Sequence, residues 1–409
     1  MRSRKLKQGS NGLLNGQYDD NRTGGRRQRP KARFLLGVAA GLLLVVWISA
    51  RAHRLRSSSR QGTGWGLSRF WGETGSVSSK SSDGRSGGQA VARKDEKSSS
   101  KKKSKHHRHS NDDDLPVCTR SPLEQRQAYP MYGCAELEEM LGGETEFLGQ
   151  GYWRDVRLAE YRGQFVAVKT LRDTQEETRR NKERHRWEAA ALEAVKGHPN
   201  IVHLLGLCEC DVVTEYFPTY MDDLLLRGVS RSPLAKLSDR RIIQMALDAA
   251  RGLRALHEVP GGPVVHADLQ PRQLLIDENG VVKVNDLNRC RFMGRDKHGR
   301  PCPFKINKGN GVWRSPEEYS GKPQTEKLDI YSMGMIFWSM YGREPPFERD
   351  DTYKDRVLRG ERPRLDPHWH EGFVQLFQDM WAGEAEERPD AEEVVVRLEA
   401  MLAEMPAES

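Results

Sequence analysis

Residues 264–286 read VVHADLQPRQLLIDENGVVKVND, and the reading of this stretch decides the fold. Apolar pairs at Leu274-Leu275 and around Val282 and Val284 flank Asp277-Glu278-Asn279-Gly280. Asn-Gly is the dipeptide that best tolerates the positive φ angles of a tight hairpin turn. The turn predicts two neighbouring strands, with Asp268 and Asp286 at their ends facing one site. One such carboxylate can accept a hydroxyl proton while the other holds a divalent cation. The competing reading, two buried aspartates that only satisfy backbone N–H groups, is settled by what lies upstream.

Working outward, Leu148-Gly149-Gln150-Gly151 leads to Val156 between two runs that alternate like strands. Glycines at such a turn let backbone N–H groups approach a phosphate with no Cβ in the way. Lys169 closes the apolar strand Val166-Ala167-Val168. A cation there is costly near a core unless anions meet it, and a nucleotide phosphate plus a carboxylate would do so. Glu188, on the helical stretch Asn181 to Lys196, is the favoured carboxylate, with Glu183 and Glu193 as fallbacks. Val212-Val213-Thr214 then runs into Glu215-Tyr216-Phe217. After it, Ile242, Ile243, Ala246, Leu247, Ala250, Leu253 and Leu256 recur at helical spacing and form a core face.

In this order the motifs resemble a protein kinase domain over residues 145–405. Ser315-Pro316-Glu317 stands where such kinases have their APE, Asp329 and Gly334 match DxWSxG, and Arg388 fits the late arginine that pairs with Glu317. Local likeness in GQGYWRDV, DLQPRQLL and VKVNDL is to secretory-pathway kinases of the lonesome-kinase type. The resemblance implies an α+β, bilobal fold, a β-rich lobe to about Phe217 and a helical lobe after it. It implies ATP and Mg2+ as cofactors and a protein as acceptor. Leu148, Gly149, Gly151 and Val156 would cover the nucleotide, Ala167 and Leu275 sandwich the adenine, Thr214 guard the back of the pocket, and the Glu215 to Phe217 hinge hydrogen-bond the base. Lys169, tied to Glu188, would grip phosphates; Asp268 would orient the acceptor hydroxyl; Gln273 and Asp286 would hold the metal.

Four positions depart from the family pattern. Arg154 replaces the third glycine of the loop, Gln273 the metal-binding asparagine, Asp286-Leu287-Asn288 the DFG, and Ala267 the arginine of His-Arg-Asp. That arginine receives an activation-segment phosphate in the family, and residues 287–314 contain no Ser, Thr or Tyr to carry one. Activity independent of such phosphorylation is expected. The same segment holds eight Lys and Arg and one acid, which points to an acidic or sulfated acceptor. Arg272 and Trp313 resemble tyrosine-kinase signatures. Serine/threonine, a glycan hydroxyl, and a pseudokinase acting only as a scaffold remain as alternatives.

With 409 residues, 36% hydrophobic and 30% charged, the chain is neither a polytopic membrane protein nor a collagen-like fibre. Its +8 charge invites a nucleic-acid reading, but residues 1–110 alone carry a net +19, from 25 Lys and Arg and 6 acids, leaving −11 on the rest. No nucleic-acid partner is expected. Residues 34–50, FLLGVAAGLLLVVWISA, form an uncharged run that as a helix would reach roughly 26 Å, enough to cross a thin bilayer. Ten Lys and Arg in the tail 1–33, against five in the twenty residues after the span, predict a type II signal anchor with the kinase domain in the endoplasmic reticulum or Golgi lumen. The opposite topology, facing the cytosol, is the alternative. Residues 51–114 read as a disordered basic stalk and 115–144 as a lead-in segment. In an oxidising lumen Cys118 is expected to pair with Cys134, and Cys290 with Cys302, with free thiols as the other reading.

Overall fold

Short strands separated by tight turns open the domain, and long amphipathic helices complete it. The structure is a computed structural model and describes residues 118–225, 237–306, 310–347 and 350–406. The predicted tail (1–33), apolar span (34–50) and stalk (51–114) lie outside the described residues. Among the described residues, no helix is long and apolar enough to cross a membrane.

In chain order the elements are α1 (Cys134–Gly142), β1 (Thr145–Gln150), β2 (Arg154–Tyr161), β3 (Gln164–Leu171), α2 (Arg179–Ala194), β4 (Leu204–Cys208), β5 (Asp211–Glu215), β6 (Thr219–Tyr220), α3 (Met221–Leu225), α4 (Asp239–His257), β7 (Val264–Val265), β8 (Leu274–Ile276), β9 (Val282–Val284) and β10 (Arg291–Phe292). The helices α5 (Pro316–Ser320), α6 (Lys327–Gly342), α7 (Tyr353–Leu358), α8 (Glu371–Met380) and α9 (Ala391–Glu404) follow. The first five strands form one antiparallel sheet in the order β1-β2-β3-β5-β4. Its register aligns Gly149 with Val156 and Val156 with Lys169, a row across three strands. Ala167 is likewise paired with Thr214. The periodicity that predicts strands therefore also places the residues expected to cover a nucleotide side by side.

Helix α2 begins where the Thr178 side chain accepts from the Asn181 N–H at 3.2 Å. Asn181, His185, Glu188 and Leu192 are buried at helical spacing, so this helix turns a partly polar face inward. Helix α4 presents the predicted apolar stripe. Gly252 on it allows close contact, since a Cβ there would stand 2.5 Å from the Asn200 carbonyl oxygen. Helix α6 is buried without interruption from Leu328 to Met340, and with α4, α8 and α9 it forms the main core.

The lead-in segment is packed onto the domain. Leu123 is buried in the main core, the Thr119 N–H donates to the Arg295 carbonyl at 3.0 Å, and α1 lies against β4. This explains a correction to the cysteine pairing: the bridges are Cys118–Cys302 and Cys134–Cys208, and Cys210 and Cys290 are buried free thiols. Cys290 faces the core as the chain enters β10, whereas Cys302 turns toward the 118–121 strap that pairs with Arg295. Breaking Cys134–Cys208 as Cys134→Ser is expected to lower stability by about 2–4 kcal/mol, measured by denaturant unfolding. An unchanged midpoint would show the bridge is dispensable.

The Arg388 guanidinium meets the Glu317 carboxylate with two bonds of 2.7 and 2.9 Å, both groups buried. Removing one member leaves the other charged and dry, so Arg388→Ala is expected to cost about 3–5 kcal/mol in the same measurement. Arg388→Lys recovering full stability would show that the fork geometry is unimportant.

Candidate active site

The site lies where the β1–β2 turn, β3, α2 and the 264–289 segment meet. The Asn279-Gly280 turn closes as predicted, with the Gly280 N–H donating to the Asp277 carbonyl at 3.0 Å and β8 pairing antiparallel with β9. Beyond that hairpin, the Asn285 N–H donates to the Gln273 carbonyl at 2.9 Å, which brings Gln273 beside Asp286. Asp286 adopts φ +65°, an unusual conformation for a side chain larger than glycine.

The catalytic loop is fixed from below by α6. The Asp329 carboxylate accepts from the His266 N–H at 2.7 Å and the Ala267 N–H at 2.9 Å, which supports Ala267 at φ +59°. The Asp268 N–H donates to His266 Nδ1 at 3.2 Å. Arg314, almost wholly buried, donates to the Ala267 carbonyl at 2.8 Å and to Asp268 Oδ1. Arg289 also reaches Oδ1, at 3.5 Å. Among the described residues no hydrogen bond reaches Oδ2. Arg314 thus supplies a cation next to Ala267, where the missing arginine of the family motif would stand.

Lys169 and Glu188 both line the site, yet they do not pair as expected. Lys169 Nζ donates to Asn285 Oδ1 at 2.9 Å. Glu188 Oε2 accepts instead from Arg154 Nη2 at 2.5 Å, and the same guanidinium nitrogen contacts His185 Nδ1. Arg154 opens β2 and its side chain turns inward, so it reaches α2 ahead of the lysine. Among the described residues, Glu188 Oε1 has no hydrogen-bond partner. Burial lowers the Lys169 pKa against the opposing pull of Asp286 and Glu188. Burial raises that of Asp286, with Lys169 acting against it and the Glu188 and Asp268 charges adding to it. For Glu188, burial opposes ionisation, but Arg154, His185 and Lys169 outweigh it and hold the carboxyl far below its usual range. Lys169, Glu188, Asp268 and Asp286 therefore share one electrostatic neighbourhood.

Around the predicted base pocket, Phe217, Leu275 and Val202 form a small apolar cluster. Thr214 and Ala167 are buried beside one another. Glu215 is committed to structure: its carboxylate accepts from Lys283 Nζ and the His203 N–H, both at 2.9 Å, and its own N–H donates to the His203 carbonyl. Leu148 and Gly149 sit on β1. A Cβ on Gly149 would meet nothing within 4 Å, so that face is open. On Gly151 it would lie 3.2 Å from the Arg154 carbonyl oxygen, which accepts the Gly151 N–H at 2.7 Å. The Asp286 carboxylate and Gln273 amide are hard oxygen donors of the kind Mg2+ takes together with substrate phosphates. Among the described residues no group of three or more His, Cys, Asp or Glu could hold a metal alone.

Arg154, Arg314 and Asn285 are the site residues that motif reading misses. Their partners lie 34, 46 and 116 residues away, and only Arg154 carries a signal in the sequence, a charged side chain where the family has a glycine.

The protein kinase domain model matches residues 143–397. The chain is 31% identical over 263 residues to the probable serine/threonine-protein kinase drkC of Dictyostelium discoideum, covering 62% of this chain and 34% of that protein. It is 32% identical over 266 residues to the dual specificity protein kinase shkD of the same organism, covering 63% and 34%. Against the serine/threonine-protein kinase mos of Xenopus laevis it is 31% identical over 276 residues, covering 62% and 74%. The chain spans about a third of the length of the first two relatives. The ordered site, the two-lobed architecture and the match over more than half its length agree: the chain belongs to the protein kinase family.

Proposed function

We propose that this protein transfers the γ-phosphoryl group of ATP to a hydroxyl on a protein, and that tyrosine is the preferred acceptor. The observation that carries the reading is the convergence of Lys169, Asp268 and Asp286 in one electrostatic neighbourhood, with Asp268 Oδ2 left open. Lys169 would hold nucleotide phosphates, Asp268 would orient the acceptor hydroxyl and take its proton, and Asp286 with Gln273 would hold Mg2+. The metal would neutralise charge on the phosphates. The tyrosine preference rests on Arg272, which donates to Gln270 Oε1 at 2.6 Å, and on Trp313. The basic segment 287–314 supports an acidic acceptor.

A type II anchor at 34–50, with the kinase domain in the secretory lumen, is part of this reading. The charge asymmetry around that segment supports it, as do two disulfides in the domain. A scaffold reading has one observation in its favour, the Lys169 contact to Asn285 in place of Glu188. Incubating the full chain with radiolabelled ATP, Mg2+ and acidic or basic acceptor peptides decides between them. Transfer abolished by chelator supports the enzyme; nucleotide binding without transfer supports the scaffold. Phosphoamino-acid analysis of the product assigns the acceptor, and phosphoserine alone would end the tyrosine preference.

A further inference from the structure

Four guanidinium groups gather beside the catalytic loop with little acid to balance them. Arg180 and Arg184 are one turn apart on α2, and Trp187, three residues on, packs edge-to-face on Phe292 of β10 with ring centroids 6.0 Å apart. That contact lays the first half of α2 along the strand that carries Arg291, with Arg289 two residues before it. Arg184 is stacked over Trp153, at the β1–β2 turn, with its Cζ 4.2 Å from the ring centroid. Arg291 is fixed in place by carbonyls, donating to those of Arg289 and Cys290 at 3.0 and 2.8 Å, which position it without neutralising it. Asp268 lies 3.5 Å from Arg289 and is already bonded to Arg314. Among the described residues, no carboxylate forms an ion pair with Arg180, Arg184 or Arg291. Burial pushes the Arg184 guanidinium down to about 10, and the charges of Arg291, Arg289 and Arg180 push the same way. Arg291 is lowered by burial, and further by Arg289 and Arg180.

Like charges so arranged repel, and an anion offsets the repulsion. Several guanidinium forks suit a doubly charged tetrahedral oxyanion better than a single carboxylate. The chain's own activation segment offers none, since residues 287–314 lack Ser, Thr and Tyr. We propose that Arg180, Arg184, Arg289 and Arg291 form a binding site for a phosphoryl group on the protein acceptor, so that this kinase acts on substrates already phosphorylated at a second position. The catalytic consequence rests on the phosphotransferase reading; the binding does not. Because Arg289 also touches Asp268, a phosphoryl group held there would sit close to the acceptor hydroxyl.

The test uses the full-length Asp268→Asn protein, which measures binding with transfer removed. Two fluorescent degenerate peptide libraries, one with a fixed phosphoserine and one with serine, are titrated by anisotropy at 150 mM salt, with inorganic phosphate as competitor. The phosphorylated library is expected to bind about ten-fold tighter or better, as charge-assisted bonds of this number allow. Adding Arg180→Ala and Arg184→Ala is expected to reduce the preference to about two-fold, with the melting temperature and ATP binding unchanged. Arg180→Gln alone, at an exposed position, serves if the double variant does not fold. Equal binding of the two libraries would overturn the proposal, and so would a preference that survives these changes. Inorganic phosphate binding in a cluster-dependent way, without preference for the phosphorylated library, would also overturn it by assigning the site to a free anion. A protein inactive in phosphotransfer that still shows the preference would remove the enzyme reading and keep the site.

Discussion

Asp268→Asn is expected to slow phosphoryl transfer by about 10²–10⁴-fold while ATP affinity stays within about two-fold. The asparagine keeps the shape and a carbonyl oxygen for Arg314, so the loop stays anchored through Arg314 to the Ala267 carbonyl and through Asp329 to the His266 and Ala267 N–H groups. What is lost is the charge on Oδ2 that, in the proposed mechanism, orients the hydroxyl and takes its proton. Steady-state rates at saturating ATP and acceptor, together with nucleotide titration of both proteins, give the comparison. A variant that retains its rate would show that Asp268 is not the base. A variant that loses ATP binding as well would show a collapsed site and leave no specific role for the carboxylate.

The parts of the site that could be read from sequence are those encoded locally. The Asn279-Gly280 turn, the alternation that aligns Gly149, Val156 and Lys169, and the stripe on α4 each follow from neighbours a few residues apart, and all of them fold as expected. The partners of the charged groups do not follow from such patterns. Glu188 is the favoured partner of Lys169 from its place on the helical stretch before Pro199, and nothing in that spacing reveals that Arg154 reaches it first. The replacement of the family arginine by Ala267 leaves a cation missing, but only the fold shows Arg314 arriving from the activation segment. The cysteines behave in the same way. Cys118 and Cys134 are near in sequence, yet the 118–121 strap and α1 run to different lobes, which sends one to Cys302 and the other to Cys208. Local rules fix elements and registers; long-range electrostatic and covalent pairing is decided by how the elements pack.

The exchange of partners around Glu188 predicts a crossover between two substitutions. Lys169→Met is expected to reduce transfer by about 10²–10³-fold, the loss seen when one preorganised electrostatic contact to a reacting group is removed. Its effect on stability should be small. The ammonium is desolvated, its bond is to the neutral Asn285 amide, and an apolar chain of similar length removes the desolvation cost along with the bond. Arg154→Met should behave in the opposite sense for folding. Glu188 is fully buried and its one strong counter-charge is the Arg154 guanidinium, so the variant strands a dry carboxylate at a cost of about 3–5 kcal/mol. For a domain of this size that is a fall on the order of 10 °C in Tm. The Glu188 carboxyl, held low only while its cations are present, would then bind a proton as pH falls, so the remaining stability of Arg154→Met should rise toward lower pH relative to the parent protein. Adding Glu188→Gln to Arg154→Met should restore much of the lost Tm, because the stranded charge is gone. Melting curves of the four proteins at two pH values carry the test. If Lys169→Met proved more destabilising than Arg154→Met, or if Glu188→Gln gave no rescue, the carboxylate would belong to the lysine after all, and the β2 arginine would be no more than a passive replacement for glycine.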